Sequence, residues 1–275
     1  MTDEMKKYSV LMAVYKNDRP EYLVDAVESM LNQTVPPEQF VIVIDGPIGE
    51  NLEEIVSKYE ADSNLFSIVR LEKNGGLGNA LNHGLLACRN DLVARMDADD
   101  ISFPERCEKQ LNAFGKNLDL IILGTQIKEF IGNPSNVVAA RLVPTSFESI
   151  KKFARRRSPF NHPTVMYRKN AIEKIGGYPT LNRKEDLGLF ISAVNKPYYS
   201  ENLEETLLYY RTSEENQRRR KTWVNCKEYI QVMSVFFKKK EISVFDMAYV
   251  VLGQLIMYLV PSFITTKLSR LILRA

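Results

Sequence analysis

The chain has 275 residues, 45% hydrophobic and 26% charged, which argues against disorder over most of its length and allows one large core or a domain with a smaller appendage. Its 37 lysines and arginines nearly balance 34 aspartates and glutamates, for a formal charge of +3, too small a surplus to argue for a nucleic-acid partner. Three widely spaced cysteines, Cys88, Cys107 and Cys226, exclude a disulfide framework and point to a reducing compartment.

The opening Met1-Thr2-Asp3-Glu4-Met5-Lys6-Lys7 lacks the apolar core of a signal peptide, so a cytoplasmic location is expected. From there to Leu123, short β-branched runs alternate with segments of helical periodicity. The spacing predicts strands over 8–14, 40–44, 66–71 and 91–96, and helices over 21–31, 52–59, 77–88 and 104–114, the signature of βαβ units around a mostly parallel sheet. Ligands of such sheets collect beyond the carboxyl ends of the strands. Here those ends carry Tyr15-Lys16-Asn17, Asp45-Gly46-Pro47, Lys73-Asn74-Gly75-Gly76 and Asp97-Ala98-Asp99-Asp100.

Strands over 120–125 and 127–131 follow. The next stretch, 132–183, is punctuated by Pro159-Phe160-Asn161-His162-Pro163 and Gly176-Gly177-Tyr178-Pro179, which reads as loops suited to an acceptor pocket. Glu185 and Asp186 then open an apolar helix, where carboxylates favour the helix dipole. Basic clusters lie at Arg155–Arg157, Arg218–Lys221 and Lys238–Lys240; 247–266 carries no charge and is followed by Lys267, Arg270 and Arg274. Polar residues dilute that segment, so a surface-lying helix pair broken at Pro261 is preferred over a buried terminal helix or a bilayer span.

Asp97 and Asp99, two positions apart at a strand end, can hold a hard divalent ion through oxygen, and that ion can hold a diphosphate. Capping of the next helix also accounts for an acidic turn. Asp45 can accept from a nucleobase NH and Gly46 allows close backbone approach, although Asp-Gly is also a common turn. Glu185 and Asp186 are helix-capping residues and, beside a metal motif, candidates for a base.

Taken in order, Ser9-Val10-Leu11-Met12-Ala13-Val14-Tyr15-Lys16, Glu28-Ser29-Met30-Leu31-Asn32-Gln33-Thr34, Asn74-Gly75-Gly76-Leu77-Gly78-Asn79-Ala80-Leu81-Asn82, Met96-Asp97-Ala98-Asp99-Asp100 and Glu185-Asp186 resemble the family 2 glycosyltransferases. The likeness is greatest to the bacterial branch that builds capsules, exopolysaccharide and lipopolysaccharide. The resemblance implies a GT-A fold over 1–215, with a nucleotide-binding half at 1–125 and an acceptor-side half at 126–215; the apolar tail and its basic flanks make 216–275 a helical, membrane-associating extension. It implies that Tyr15, Asp45, Gly46, Asn82 and Asp97 bind the donor nucleotide. It also implies that Asp97 and Asp99 coordinate Mg2+ or Mn2+, and that Asp186 is the general base assisted by Glu185.

Implied too are an inverting displacement, a nucleotide-sugar donor (a UDP-sugar first) and a lipid-linked oligosaccharide acceptor; separately, the tail and its basic flanks predict peripheral attachment to the inner face of the cell membrane. His162 falls where the acceptor-side loop is expected, although a structural histidine fits equally. Arg211 and the arginines near Arg219 are placed to neutralise a phosphate or to line a solvated helix face. The second strand ends in a single carboxylate, Asp45, and Trp223 is displaced from a Gln-x-x-Arg-Trp pattern, which favours one sugar per encounter over processive synthesis. An aspartyl-phosphate hydrolase is disfavoured because no carboxylate directly follows the first strand. A catalytically inactive nucleotide-sugar-binding subunit is the remaining alternative.

Overall fold

The computed structural model describes residues 7–61, 64–180, 184–213 and 221–260. In chain order, β1 (Ser9–Val14), α1 (Pro20–Leu31), β2 (Gln39–Ile44), α2 (Glu50–Glu60), β3 (Phe66–Arg70), α3 (Leu77–Ala87) and β4 (Leu92–Asp97) form the expected βαβ series. Then come β5 (Ile101–Ser102), α4 (Arg106–Lys116), β6 (Leu120–Phe130), β7 (Val137–Arg141), α5 (Phe147–Ala154), β8 (Met166–Arg168), α6 (Lys169–Lys174) and α7 (Glu185–Val194). The series closes with β9 (Tyr199–Arg211), α8 (Trp223–Lys238) and α9 (Val244–Leu259).

One sheet runs in the order β3-β2-β1-β4-β8-β6-β9-β5, with β7 paired to β6. It is parallel across β3, β2, β1 and β4 and mixed beyond, where β8 is antiparallel to both β4 and β6. Strands β1 and β2 are buried almost throughout, as strands covered on both faces must be. Their side chains alternate between two cores. Leu11, Val41, Val43 and Val93 pack with α3, α5, α7 and α8; Val10, Met12, Phe40 and Ile42 pack with α1, α2 and α4. The layers are tight: a Cβ at Gly84 of α3 would lie 2.3 Å from Leu11 Cδ1.

Three expectations are revised. The two strands read at 120–125 and 127–131 are one, β6, kept continuous by parallel pairing with β9 through register shifts around Gly124–Ile127. Strand β9 has no counterpart in the sequence reading, because Glu201, Glu204 and Glu205 interrupt its apolar alternation. The stretch 132–183 is more ordered than its Pro and Gly content suggests, holding β7, α5, β8, α6 and a 3-10 turn at His162–Thr164.

The C-terminal helices pack on the same core. Val232, Met233 and Phe236 of α8 and Val250 of α9 join the cluster that contains Leu187 and Phe190. A capping box at Ser243 and Asp246 starts α9, and Asp246 pairs with Arg156 at 2.6 Å. No helix among the described residues is long and apolar enough to cross a membrane. Pro261 and the residues after it, and Arg218–Arg220, lie outside the described residues.

Candidate active site

Strand register gathers three of the four loops. Val14 lies opposite Ile44 and Ala13 opposite Asp97, so Tyr15, Asp45 and the Asp97 turn leave the carboxyl edge of three adjacent strands. Asp45 is buried, and its two oxygens accept from the amides of Gly75 (2.7 Å) and Gly76 (3.0 Å), which ties the 73–76 loop to β2. Gly46 is obligatory there: its φ is 82°, and a Cβ would sit 2.4 Å from Asn74 N. Tyr15 is half-buried, and its amide donates to Asp18 Oδ2 at 2.9 Å.

Asp97, Asp99 and Asp100 bring carboxylate oxygens within 4.8 Å of one another. Burial and the Asp97 charge push Asp99 up to about 6. Burial, then Asp99 and Asp97, push Asp100 well above the carboxylate range. Asp18 is raised to about 7 by burial, with Asp99 and Asp97 adding to it against the Tyr15 hydrogen bond. Several carboxylates that cannot all ionise together are a site short of positive charge. The donors are all carboxylate oxygens, a set that suits a hard divalent ion such as Mg2+ or Mn2+.

Arg211, a candidate for neutralising a donor or acceptor phosphate, is built into the acidic turn. Its Nε donates to the Asp99 carbonyl (2.8 Å), Nη1 to the Gly132 carbonyl (3.0 Å) and Nη2 to Asp25 (3.0 Å), while its amide donates to Asp100 (2.8 Å). The guanidinium also stacks 3.8 Å from the Tyr22 ring centre. With each guanidinium nitrogen bonded within the protein and 7% exposure, Arg211 braces the acidic turn.

The acid pair opens α7. Lys184 before it takes a left-handed φ of 66°, a conformation rare for residues with side chains, and so places Glu185 and Asp186 in the first turn. Glu185 is buried against Gly78 of α3, where a Cβ would approach its own Cβ to 2.9 Å. Burial and then Asp186 raise Glu185 to about 7, against an ordinary 4.5. Between those two values the folded chain keeps a proton that the unfolded chain releases. This group's contribution to stability is therefore complete below about 4.5 and is lost as pH rises through about 7.

A buried cation acts on both acidic groups. Arg95, in the middle of β4, is 1% exposed and pairs with Asp97; its charge also acts on Asp99, Asp100, Tyr178 and Glu185. Tyr178 joins two further expected site residues. Its hydroxyl meets His162 Nε2 at 3.0 Å, and the side-chain amide of Asn82 bonds both its amide and its carbonyl at 2.8 Å. Burial, then Arg95, hold His162 well below its ordinary value, so it is neutral at pH 7. Asn82 and His162 thus anchor the 176–180 loop that packs on α7 through Pro179 and Gly188.

The structure therefore brings Asp97 and Asp99 together, aligns Tyr15 and Asp45 beside them, and assigns Asn82, His162 and Arg211 to contacts within the protein. Sequence reasoning missed Asp18, Arg95 and Tyr178. The signal for Arg95 was a charge inside an otherwise apolar strand, and for Asp18 a carboxylate just past the end of β1; Tyr178 left none.

The model of Glycosyl transferase family 2 matches residues 9–176. An uncharacterized glycosyltransferase of Haemophilus influenzae is 44% identical over 205 residues, 74% of this chain and 76% of that protein. The UDP-Gal:alpha-D-GlcNAc-diphosphoundecaprenol beta-1,3-galactosyltransferase of Escherichia coli is 35% identical over 262 residues, 95% of this chain and 94% of that protein. Among solved structures, S. aureus TarS 1-349 in complex with UDP-GlcNAc superposes with a TM-score of 0.66 at 20% identity, over 92% of this chain and 72% of that one. With its parallel nucleotide-side strands, acidic strand-end turn and family match, this chain belongs to glycosyl transferase family 2, has the GT-A fold and is a glycosyltransferase.

Proposed function

We propose that the protein transfers a sugar from a UDP-sugar to a lipid-linked oligosaccharide at the inner face of the cytoplasmic membrane, with inversion, in the assembly of a surface polysaccharide. The observation that carries this reading is the Asp97–Asp99–Asp100 cluster at the edge shared by β1, β2 and β4, with the buried Arg95 that pairs with Asp97 also acting on Glu185, the neighbour of Asp186 in the first turn of α7. The E. coli relative supplies the donor and acceptor classes.

Asp97 and Asp99 would hold Mg2+ or Mn2+, whose chemistry is to offset charge on the departing diphosphate. Tyr15, Asp45 and Gly46 would border the nucleobase. Asp186 takes the proton of the acceptor hydroxyl, whose oxygen forms the new bond to the anomeric carbon on the face opposite the bond to phosphate that breaks; nucleoside diphosphate leaves with that electron pair. No covalent intermediate with the protein forms.

The test is transfer from labelled UDP-galactose and UDP-GlcNAc to a synthetic GlcNAc-diphospholipid, with Mn2+ or with chelator. Ion-dependent product with an inverted linkage is expected. Donor binding without product from any UDP-sugar or lipid-linked acceptor tried would favour an inactive binding subunit.

A pH profile tests the acid pair separately. Glu185 holds its proton to about 7, so kcat/KM should rise through that pH as the pair gains negative charge beside the reacting hydroxyl. Glu185→Gln should flatten this limb; an unchanged profile would leave Glu185 a packing residue only.

A further inference from the structure

The C-terminal hairpin presents a surface that the transfer chemistry does not use. Along α9, Phe245 (83% exposed), Tyr249 (50%), Leu252 (60%), Ile256 (51%) and Leu259 (71%) follow one another at helical spacing on one face, while Asp246 and Val250 turn inward. A solvent-facing stripe of this regularity on a helix whose other side is already packed is an interaction surface.

Its surroundings identify the partner. Cations stand at both ends: Lys238, Lys239 and Lys240 are exposed just before α9, and Lys221 donates to the Val260 carbonyl at 3.1 Å just after it. Trp223 and Tyr258, both nearly half exposed, pair at that second end with ring centres 5.4 Å apart. Arg156, which pairs with Asp246, lies 4.7 Å from the centre of the Tyr249 ring. An apolar stripe with aromatic residues and cations at its margins matches the boundary of an anionic bilayer, where acyl chains meet the stripe, rings sit at headgroup depth and lysines meet phosphates. A second copy of the chain fits less well. Two stripes laid together in either direction would set the cations of one copy against those of the other, which opposes association.

We infer that α9 lies in the plane of an anionic membrane surface and docks the enzyme there through Phe245, Tyr249, Leu252, Ile256 and Leu259. This deepens the lipid-linked acceptor reading above and rests on it. The hairpin is braced on the catalytic side: Tyr229 of α8 donates to the Arg156 carbonyl at 3.0 Å, and the Lys184 ammonium lies 5.9 Å from the Tyr229 ring centre. Docking of α9 would therefore hold the segment that begins α7, with Asp186, beside the lipid surface. The sequence beyond α9 adds Lys267, Arg270 and Arg274 among apolar residues, in keeping with the same partner.

The test uses the full chain in flotation with phosphatidylcholine vesicles, with and without phosphatidylglycerol, beside UDP titration of the same preparations. Wild type should float with the anionic vesicles and bind the neutral ones less. Leu252→Gln combined with Ile256→Gln should lower the bound fraction about tenfold or more, and Lys238→Gln with Lys239→Gln and Lys240→Gln should abolish the preference for anionic lipid. Both sets change exposed side chains, so UDP binding should stay as in wild type. The inference is overturned if wild type floats with neither vesicle, if the stripe variant floats like wild type, or if the chain is a dimer that the stripe variant dissolves. Failure of wild type to bind UDP while vesicle binding persists would instead count against the donor reading alone.

Discussion

Asp186→Asn is expected to lower kcat about 10^3-fold, or ~4 kcal/mol of transition-state stabilisation, the range a positioned general base supplies. Affinity for UDP should hardly change. The reason is local: Asp186 stands in the first turn of α7, beyond the Asp97–Asp99–Asp100 cluster proposed for the diphosphate. Asparagine preserves the shape and the helix start but cannot take a proton from the acceptor hydroxyl. Steady-state kinetics with a diphospholipid acceptor, together with calorimetric titration of UDP, separate the two effects. Near wild-type kcat in a folded variant would remove Asp186 from the reaction.

Asp99→Asn is expected to act on the other half of the site, lowering Mn2+-dependent UDP affinity at least ~100-fold. It should not cost stability in the absence of metal. Asp99 is pushed up to about 6 by burial and by Asp97, and the same crowding raises Asp100 and Asp18. Removing one carboxylate relieves repulsion, so the metal-free melting temperature should stay level or rise. Titration of UDP with and without Mn2+, with thermal melts of the same samples, tests both statements. Wild-type UDP affinity in the presence of Mn2+ would rule Asp99 out as a ligand, and a melt that fell by many degrees would mark it as a structural residue.

Both variants are nearly isosteric, so each outcome is read against an intact fold. Together they also separate the proposed enzyme from an inactive binding subunit. In such a subunit Asp99→Asn would still weaken UDP, whereas Asp186→Asn would have no turnover to remove.

Legibility differed along the chain for physical reasons. The βαβ half was plain because each strand is a run of β-branched and apolar residues covered on both faces, as in Gln39–Ile44, and each helix keeps one apolar face. Strand β9 was hidden because acidic residues on its exposed positions break the apolar alternation. Its place is set by long-range pairing with β6 and β5, which no local pattern encodes.

The sequence by itself determined the chemistry available: carboxylates two apart after a buried strand, a lone aspartate before a glycine after another, and an acidic pair at a helix start. These are local patterns, written by backbone period and turn geometry. Only the tertiary structure decided how each group is used. Arg211 braces the Asp99 turn, Asn82 and His162 converge on Tyr178, and the buried Arg95 pairs with Asp97 and acts on Glu185. Those roles depend on which distant segments meet and on how deeply they are buried. Hydrogen-bond partners and local dielectric, which set both geometry and proton affinity, come into being only when the chain is packed.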